Sequence, residues 1–309
     1  MRRLIPIIIL AGMLPSCFEE DLMVPPHEQG ELEIGTAMMG HEYSRQVFYD
    51  LDRNEEISVS LISEWDLCFE SGTGGWHIRL NSSRFMLAGN SGDTCFADVT
   101  SETGISMKFD QSDGNPDSTA IGRWYSPSGD SIISDRQVYV IDRGIDEVNP
   151  ALGLKKVQFS VSGNGYSIRY ADLDNGNEGY CCIDRNDSTN YVYFSFDSGV
   201  VNVAPAADRW SLLFTRYTTM LRTNTGEKYP YLVTGVLINP KGVAAALDTT
   251  HEFTEIVLAD TLDLELTGRA DVIGYDWKYY NFEAGIYTIV PGYSYVIRDR
   301  DGFYYKLRF

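Results

Sequence analysis

The sequence contains one aromatic motif twice. Residues 64–71 read EWDLCFES and residues 209–216 read RWSLLFTR, so that Trp, Leu and Phe recur with the same spacing. Further stretches match in the same order, among them HIRLN, which ends at Asn81, and GVLIN, which ends at Asn239. An internal repeat of long period restricts the fold more than any single motif, because each copy must form the same kind of unit. The sequence therefore predicts two tandem related repeats.

The matches extend on both sides of the shared motif. Asp52 and Asp197 stand at the same offset upstream of it, and QVYVIDRG at 137–144 resembles SYVIRDRDG at 294–302. The order is kept while the offset drifts from ~145 to ~150 residues through changes in loop length. The halves could form two lobes or one continuous domain. The expected repeats are residues 36–165 and 166–309.

Both repeats consist of short runs rich in Val, Ile, Tyr and Phe, many of which alternate with polar residues. Gly, Asn, Asp, Ser or Pro separates these runs, a pattern typical of strands joined by turns. Gly163–Asn164–Gly165 stands between KKVQFSVS and YSIRYADL and predicts a β-hairpin. Helical periodicity is nearly absent. We therefore expect an all-β protein of antiparallel, sandwich-like sheets, each with one buried face.

The repeated motif itself predicts a core strand. Trp65, Leu67 and Phe69 are expected to share one face of a strand, because side chains alternate between faces. A fully buried side chain of this kind contributes ~1.5–3 kcal/mol to stability. An exposed aromatic platform is the alternative, but Leu67 would contribute little to it. The motif is therefore interpreted as architectural in both copies.

The N-terminus has the features of a bacterial lipoprotein signal. MRR precedes the apolar stretch LIPIIILAGML, which is too short to span a bilayer, and LPSC then ends at Cys17. LPSC resembles a lipobox, so residues 1–16 are expected to be removed and Cys17 to be lipidated. An ordinary secretory signal with an incidental cysteine is the alternative. A lipid on Cys17 would be the only membrane anchor.

Residues 17–35 are expected to form an acidic tether. FEED after Cys17 resembles the signal that exports lipoproteins of some anaerobic Gram-negative bacteria to the outer cell surface, which predicts an outer-membrane protein facing the exterior. Without residues 1–16 the chain carries 44 acidic and 23 basic residues, a formal charge of −21. Phosphate backbones repel such a surface, so nucleic acid is not an expected partner.

Four cysteines follow Cys17, an even number that permits disulfides in an oxidising compartment. Cys181 and Cys182 are adjacent and would point to opposite faces of a strand, so they are not expected to pair with each other. The favoured bridge is Cys68–Cys95, since both residues lie in the first half. No Cys-x-x-Cys spacing occurs, so a structural zinc site is not expected.

FYDLDRNEEISVSLISEWDLCFES and the C-terminal YVIRDRDGFYYKLRF resemble the HmuY family of bacterial haem-binding lipoproteins. The resemblance covers most of residues 35–309 and rests on structural motifs. It implies an all-β surface lipoprotein that captures haem and passes it to an outer-membrane TonB-dependent receptor. In that family two axial His or Met side chains hold the iron. Met220 and His251, both in the second repeat, are the candidates in this chain.

Motifs of other chemistry are missing from the sequence. It contains no Gly-x-Ser-x-Gly, no His-Glu-x-x-His and no phosphate loop, so we expect no enzymatic activity. The alternative to haem capture is a surface protein that binds glycan or protein. A haem binder should have a deep apolar slot with two convergent ligands, and a glycan binder a shallow exposed row of Trp or Tyr. Trp76, Trp124 and Trp277 lie outside the repeated motif and are candidates for that row.

Overall fold

Strands dominate the part of the chain that the structure describes. The computed structural model describes residues 30, 32–72, 75–129, 131–146 and 151–309. The first ten strands are β1 Arg45–Asp50, β2 Glu55–Leu61, β3 Leu67–Glu70, β4 Ile78–Leu80, β5 Leu87–Asn90, β6 Tyr125–Ser128, β7 Ser131–Ser134, β8 Val138–Asp142, β9 Leu154–Ser162 and β10 Gly165–Ala171. The next ten are β11 Gly179–Ile183, β12 Tyr191–Ser195, β13 Gly199–Val201, β14 Leu212–Arg222, β15 Lys228–Ile238, β16 Ala244–Asp248, β17 Lys278–Asn281, β18 Ile286–Ile289, β19 Ser294–Arg298 and β20 Tyr304–Leu307. Short 3-10 helices span His41–Tyr43, Ser82–Arg84, Pro116–Ser118 and Leu258–Leu262.

The two halves of the chain exchange hairpins. One four-stranded sheet has the order β15-β14-β1-β2, and another has the order β13-β12-β3-β4. Each sheet thus joins a hairpin from one half to two strands from the other, and these pairings are antiparallel. A five-stranded sheet, β11-β10-β9-β8-β5, and a three-stranded sheet, β16-β19-β20, complete the main architecture, and β6-β7 and β17-β18 form separate hairpins. The prediction of an all-β antiparallel protein is confirmed.

The exchanged sheets pair in the same register. The matching Cα partners are Phe48–Leu213 and Tyr49–Leu212 in one sheet, and Tyr193–Cys68 and Phe194–Leu67 in the other. Phe48–Leu213 corresponds to Tyr193–Cys68, because the first-half residue and the second-half residue exchange places when each is moved by the spacing between the two copies of the motif. Tyr49–Leu212 corresponds to Phe194–Leu67 in the same way. Residues Gly35–Phe309 form one compact unit, with both exchanged sheets inside it.

The predicted hairpin after β9 is confirmed. Ser162 pairs with Gly165 across a two-residue turn of Gly163 and Asn164. Gly163 has φ +58°, a left-handed conformation that glycine adopts without strain because it lacks a Cβ atom. The repeat boundary predicted between residues 165 and 166 falls inside β10, within the continuous five-stranded sheet.

The first copy of the repeated motif is buried, but its three residues do not share one face. Leu67 and Phe69 are fully buried in a core with residues of β8, β9 and β10. Trp65 instead packs beside Cys68, in a different cluster. Strand β3 begins only at Leu67, so the alternation of the strand does not extend back to Trp65. The core interpretation holds, and the expectation of a shared face is wrong for the tryptophan.

A central cluster of aromatic side chains joins the exchanged hairpins. The ring of Phe48 meets that of Trp210 edge-on at 5.0 Å between centroids, and Tyr193 meets Trp65 edge-on at the same distance. Edge-to-face geometry is favourable for aromatic pairs. Each contact joins a strand of one half to the motif tryptophan of the other half, so neither half buries its tryptophan alone.

Asn81 and Asn239 play the same structural role in the two halves. Both are fully buried, and each side-chain amide donates two hydrogen bonds to backbone carbonyl groups. The acceptors are Ile62 and Trp65 for Asn81, at 2.7 Å each, and Ala207 and Trp210 for Asn239, at 2.8 and 2.9 Å. These bonds satisfy carbonyl groups that burial would otherwise leave unpaired.

The predicted Cys68–Cys95 disulfide is not formed, and both residues are free thiols. Cys68 is buried in the central cluster, where loss of solvation raises the pKa of its thiol, whereas Cys95 is exposed in the segment after β5. The two therefore occupy different environments. Cys181 and Cys182 lie on β11 with alternating burial, as predicted for adjacent residues of a strand, and are also free.

Candidate functional site

An exposed group of aromatic side chains combines Tyr43 with residues of the second half of the chain. We call it the tyrosine surface. Its members range from 39% to 89% exposed, and the most exposed is Phe282. The tyrosine surface consists of Tyr43, Tyr229, Tyr231, Tyr280, Phe282 and Tyr287. Monomeric proteins rarely expose a contiguous apolar patch of this kind unless it binds something.

The hairpin of β17 and β18 forms the centre of the tyrosine surface. Tyr280 and Tyr287 are directly opposed across the two strands, so they share one face, and their ring centroids are 5.3 Å apart. The ring of Phe282 lies 5.2 Å from that of Tyr280, in the turn. Asn281 Oδ1 accepts hydrogen bonds from the backbone N–H groups of residues 283 and 284, which fixes the turn. The aromatic rings are therefore held on an ordered turn.

Lys278 connects this hairpin to the rest of the tyrosine surface. Its ammonium group lies 5.1 Å from the ring centroid of Tyr287 and 5.7 Å from that of Tyr43. Burial lowers the pKa of Lys278. Burial raises the pKa of Tyr287, and the charges of Tyr231 on β15 and Tyr43 in the first 3-10 helix raise it further. The rings of Tyr43 and Tyr287 thus lie beside one partly desolvated cation.

None of the three tryptophans proposed for a glycan-binding row forms part of this surface. Trp124 is fully buried, and its Nε1 donates to the carbonyl oxygen of Trp76 at 2.7 Å. Trp76 packs edge-on against Tyr166. Trp277 is half-buried and stacks on Phe309 with centroids 4.0 Å apart. Trp124 and Trp277 stand at the bases of the two hairpins β6-β7 and β17-β18, and the exposed rings are those of tyrosines and Phe282.

The first half carries the same hairpin without the tyrosines. At the base of β6-β7, the backbone N–H of Asp135 donates a hydrogen bond to the carbonyl oxygen of Trp124. At the base of β17-β18, the N–H of Val290 donates in the same way to the carbonyl oxygen of Trp277, so the two hairpins begin with the same hydrogen bond. Pro127 pairs with Ile132 where Tyr280 pairs with Tyr287. The hairpin therefore forms without a tyrosine pair, and the rings of the second half are available for binding.

A buried ion centre lies at the start of β3. Asp66, which is fully buried, accepts hydrogen bonds from Arg143 Nε and Nη2 at 3.0 Å each, and from Arg84 Nη1 at 3.3 Å. Arg143 also donates to Asp197 Oδ2 at 2.6 Å. Burial opposes the charge of Arg143, but its hydrogen bonds to Asp197 and Asp66 outweigh this and raise its pKa. This centre holds loops of the two halves together.

The two proposed haem ligands lie in different surroundings. Met220 is half-buried on β14, where its Cα is the partner of Pro230 on β15. His251 is exposed just after β16, and its Nδ1 lies 2.8 Å from Asp248 Oδ2. Among the described residues, the hydrogen bonds of the His251 ring go to Thr250 and Asp248, and no shared hydrophobic cluster contains Met220 and His251. Cys17, the proposed lipidation site, lies outside the described residues.

The Asp248–His251 pair predicts a loss of stability in acid. Burial raises the pKa of Asp248, but hydrogen bonds from Thr250 and His251 outweigh it and lower the pKa to about 2. A carboxyl group whose pKa falls on folding stabilises the fold above its unfolded value of 3.8 and loses that contribution as the pH falls towards 2. Asp248→Asn should therefore show a flatter stability profile between these pH values than the unchanged chain. Urea unfolding across this range measures it, and parallel profiles would contradict the assignment.

No family model, curated protein or solved structure matches the chain. Among the described residues, no helix has the length and apolar character needed to cross a membrane.

Proposed function

We propose that the chain is a non-enzymatic surface lipoprotein that binds glycan through the tyrosine surface. The observation that carries this proposal is the exposed row of aromatic rings on an ordered hairpin, centred on Tyr280 and Tyr287. A tyrosine offers a flat apolar ring and a hydroxyl group, so it can contact both the C–H face and the hydroxyl groups of a sugar. Loss of conformational entropy on binding is small, because a tyrosine has only two rotatable side-chain torsions.

Differences between the halves support the same function. The fold places Pro127 and Ile132 where the second half has Tyr280 and Tyr287. We infer that the two halves derive from duplication of one unit, because exchanged strands pair in the same register and Asn81 and Asn239 make matching hydrogen bonds. On this view the tyrosines are an addition of the second copy. Residues that a scaffold does not require are candidates for binding.

A glycan array tests this function with defined ligands. The purified mature chain is applied at physiological salt, and binding to one chemically related set of glycans is expected. A variant with Tyr280→Ala and Tyr287→Ala should lose that binding, whereas Tyr180→Ala, which removes an exposed tyrosine of β11, should not. Absence of any bound glycan would contradict the proposal. If in-cell photo-crosslinking from position 282 then captured a protein, the tyrosine surface would instead be a protein interface.

Haem capture is the second candidate, and the geometry of His251 favours it. A histidine that binds metal commonly donates its other ring N–H to a carboxylate, as His251 Nδ1 is placed to do towards Asp248. The cavity beside the start of β14 is lined largely by polar side chains, whereas the cavity beside β12 and β13 has a mixed lining that includes four valines, and a deep apolar slot would suit haem better. Met220 and His251 are the axial candidates, and an outer-membrane TonB-dependent receptor is the partner that the HmuY resemblance implies.

A Soret titration separates haem capture from glycan binding. Adding haem to the purified chain should shift the Soret band, and His251→Ala and Met220→Ala should each weaken the shift if they are ligands. No shift on adding haem would end this second proposal and leave the first unaffected. Lipidation at Cys17 and display on the outer membrane are part of both proposals. Metabolic labelling with a fatty acid, and its loss in Cys17→Ser, tests the anchor.

A further inference from the structure

A cavity of about 320 Å³ lies in the second half, at the place that corresponds to the buried ion centre of the first. Loops after β1 and β19 and the start of β14 enclose it, and its lining contains five aspartates and three arginines. Two of the arginines already pair with acids at the rim, Arg53 with Asp50 at 3.8 Å and Arg300 with Asp301 at 3.7 Å. The remaining charge is negative, so the cavity favours a cation.

Backbone hydrogen bonds establish that Ser211 stands where Asp66 stands in the first half. Asp66 N donates to the carbonyl oxygen of Phe194 at 2.8 Å, and Ser211 N donates to that of Tyr49 at 2.8 Å. The carbonyl oxygens of Asp66 and Ser211 accept from the buried asparagines of their own halves, at 2.9 Å in each case. The second half has therefore exchanged a buried carboxylate for a hydroxyl group.

The position that corresponds to Arg143 also holds a different residue in the second half. Arg143 lies two residues after Ile141, which pairs with Ala88, and Asp299 lies two residues after Ile297, which pairs with Ala245. An aspartate thus stands in the position of the arginine. Asp52 stands at the position that corresponds to Asp197 of the second half. Its side chain lies close to that of Asp299, since the Tyr305 hydroxyl group is 3.3 Å from Asp52 Oδ1 and 3.4 Å from Asp299 Oδ2. Two carboxylates face the region that a guanidinium group fills in the first half.

The Ser211 side chain provides an independent sign of a binding site. It is 8% exposed and lines the cavity. Its hydroxyl group makes no side-chain hydrogen bond within the part of the chain that the structure describes, and it is not one of the fully buried polar atoms without a partner, so it is open to the cavity. A hydroxyl group that is open to a polar cavity and has no protein partner can bind a ligand with hydrogen-bonding groups.

We propose that this cavity binds a guanidinium group, supplied by a small molecule or by an arginine of a peptide, between Asp52 and Asp299. The planar guanidinium donates paired hydrogen bonds to carboxylates, as Arg143 does to Asp66 in the first half. Ser211 accepts a further hydrogen bond from it. The site lies on loops 50–53 and 299–303 and is separate from the tyrosine surface, so it does not depend on the glycan proposal.

Calorimetric titration of the purified chain at low ionic strength tests the site. The probes are methylguanidinium, an acetylated and amidated arginine, and urea as the neutral isostere. Saturable binding of methylguanidinium with a Kd of roughly 1 mM or lower, and no binding of urea, is expected. Tighter binding of the capped arginine would identify a peptide as the source, and equal binding would identify a small molecule.

Two kinds of variant decide the assignment. Asp299→Asn and Asp52→Asn should each weaken methylguanidinium binding about tenfold, and Asp208→Asn at the rim should change it little. Ser211→Asp restores the carboxylate of the first half and should strengthen binding about tenfold, a gain that misfolding cannot imitate. Absence of saturable binding, equal binding of urea, or unchanged affinity in Asp299→Asn would overturn the proposal.

Discussion

Asp66→Ala is expected to destabilise the protein by about 3–5 kcal/mol, because it leaves buried charges without their partner. Arg84 and Arg143 are 3% and 6% exposed and both donate to this carboxylate. The backbone N–H of Phe196 would also lose its acceptor, Asp66 Oδ2, at 2.9 Å. Domains of this kind are stable by only about 5–15 kcal/mol, so the variant should unfold at much lower denaturant concentration. Equilibrium unfolding in urea measures the difference.

The second half of the chain supplies a matched control for this prediction. Ser211→Ala removes the side chain at the corresponding position, where no buried arginine depends on it, and should cost less than about 1 kcal/mol. Asp66→Asn keeps the shape of the side chain and one acceptor oxygen. The free energy of unfolding that it costs should lie between the costs of Asp66→Ala and Ser211→Ala. Equal stability of Asp66→Ala and Ser211→Ala would contradict the role of the ion centre in joining the halves.

The fold class was predictable because its determinants are local. Alternating runs and the turn at Gly163 and Asn164 predict antiparallel strands directly, and the structure contains them. The exchange of hairpins was not predictable, because pairing between Phe48 and Leu213 depends on which of two equivalent partners a strand selects. Local patterns do not encode that choice. The same exchange explains why Trp65 enters the central cluster rather than the core of Leu67.

The candidate site was harder to predict than the fold. The tyrosine surface combines residues from β15, from β17-β18 and from the first 3-10 helix, which are brought together only by folding. The sequence does not distinguish a tyrosine on an exposed hairpin from a tyrosine on a half-buried strand, because both occur in runs that alternate between apolar and polar residues. KYYNF at 278–282 carried a usable signal, because two adjacent tyrosines put one ring on each face of a strand. The predicted row contained only tryptophans and therefore omitted these tyrosines.

Replacing Tyr280 and Tyr287 by alanine together should lower the affinity for the bound glycan by about 10- to 100-fold. Aromatic contacts of this kind contribute roughly 0.5–1.5 kcal/mol each beyond the area that they bury, and both rings lie at the centre of the tyrosine surface. The fold should be unaffected, since the hairpin of the first half has Pro127 and Ile132 at the same positions. Phe282→Ala, at the edge of the turn and 89% exposed, should have a smaller effect.

Titration of one glycan from the array against three proteins tests glycan binding by the tyrosine surface most directly. The three are the unchanged chain, the Tyr280→Ala/Tyr287→Ala variant and Tyr180→Ala. Circular dichroism and urea unfolding first establish that all three are folded. We expect saturable binding by the unchanged chain and by Tyr180→Ala, which lacks only the ring on β11, and a loss of at least about tenfold in the double variant. Equal affinity of all three proteins would contradict it.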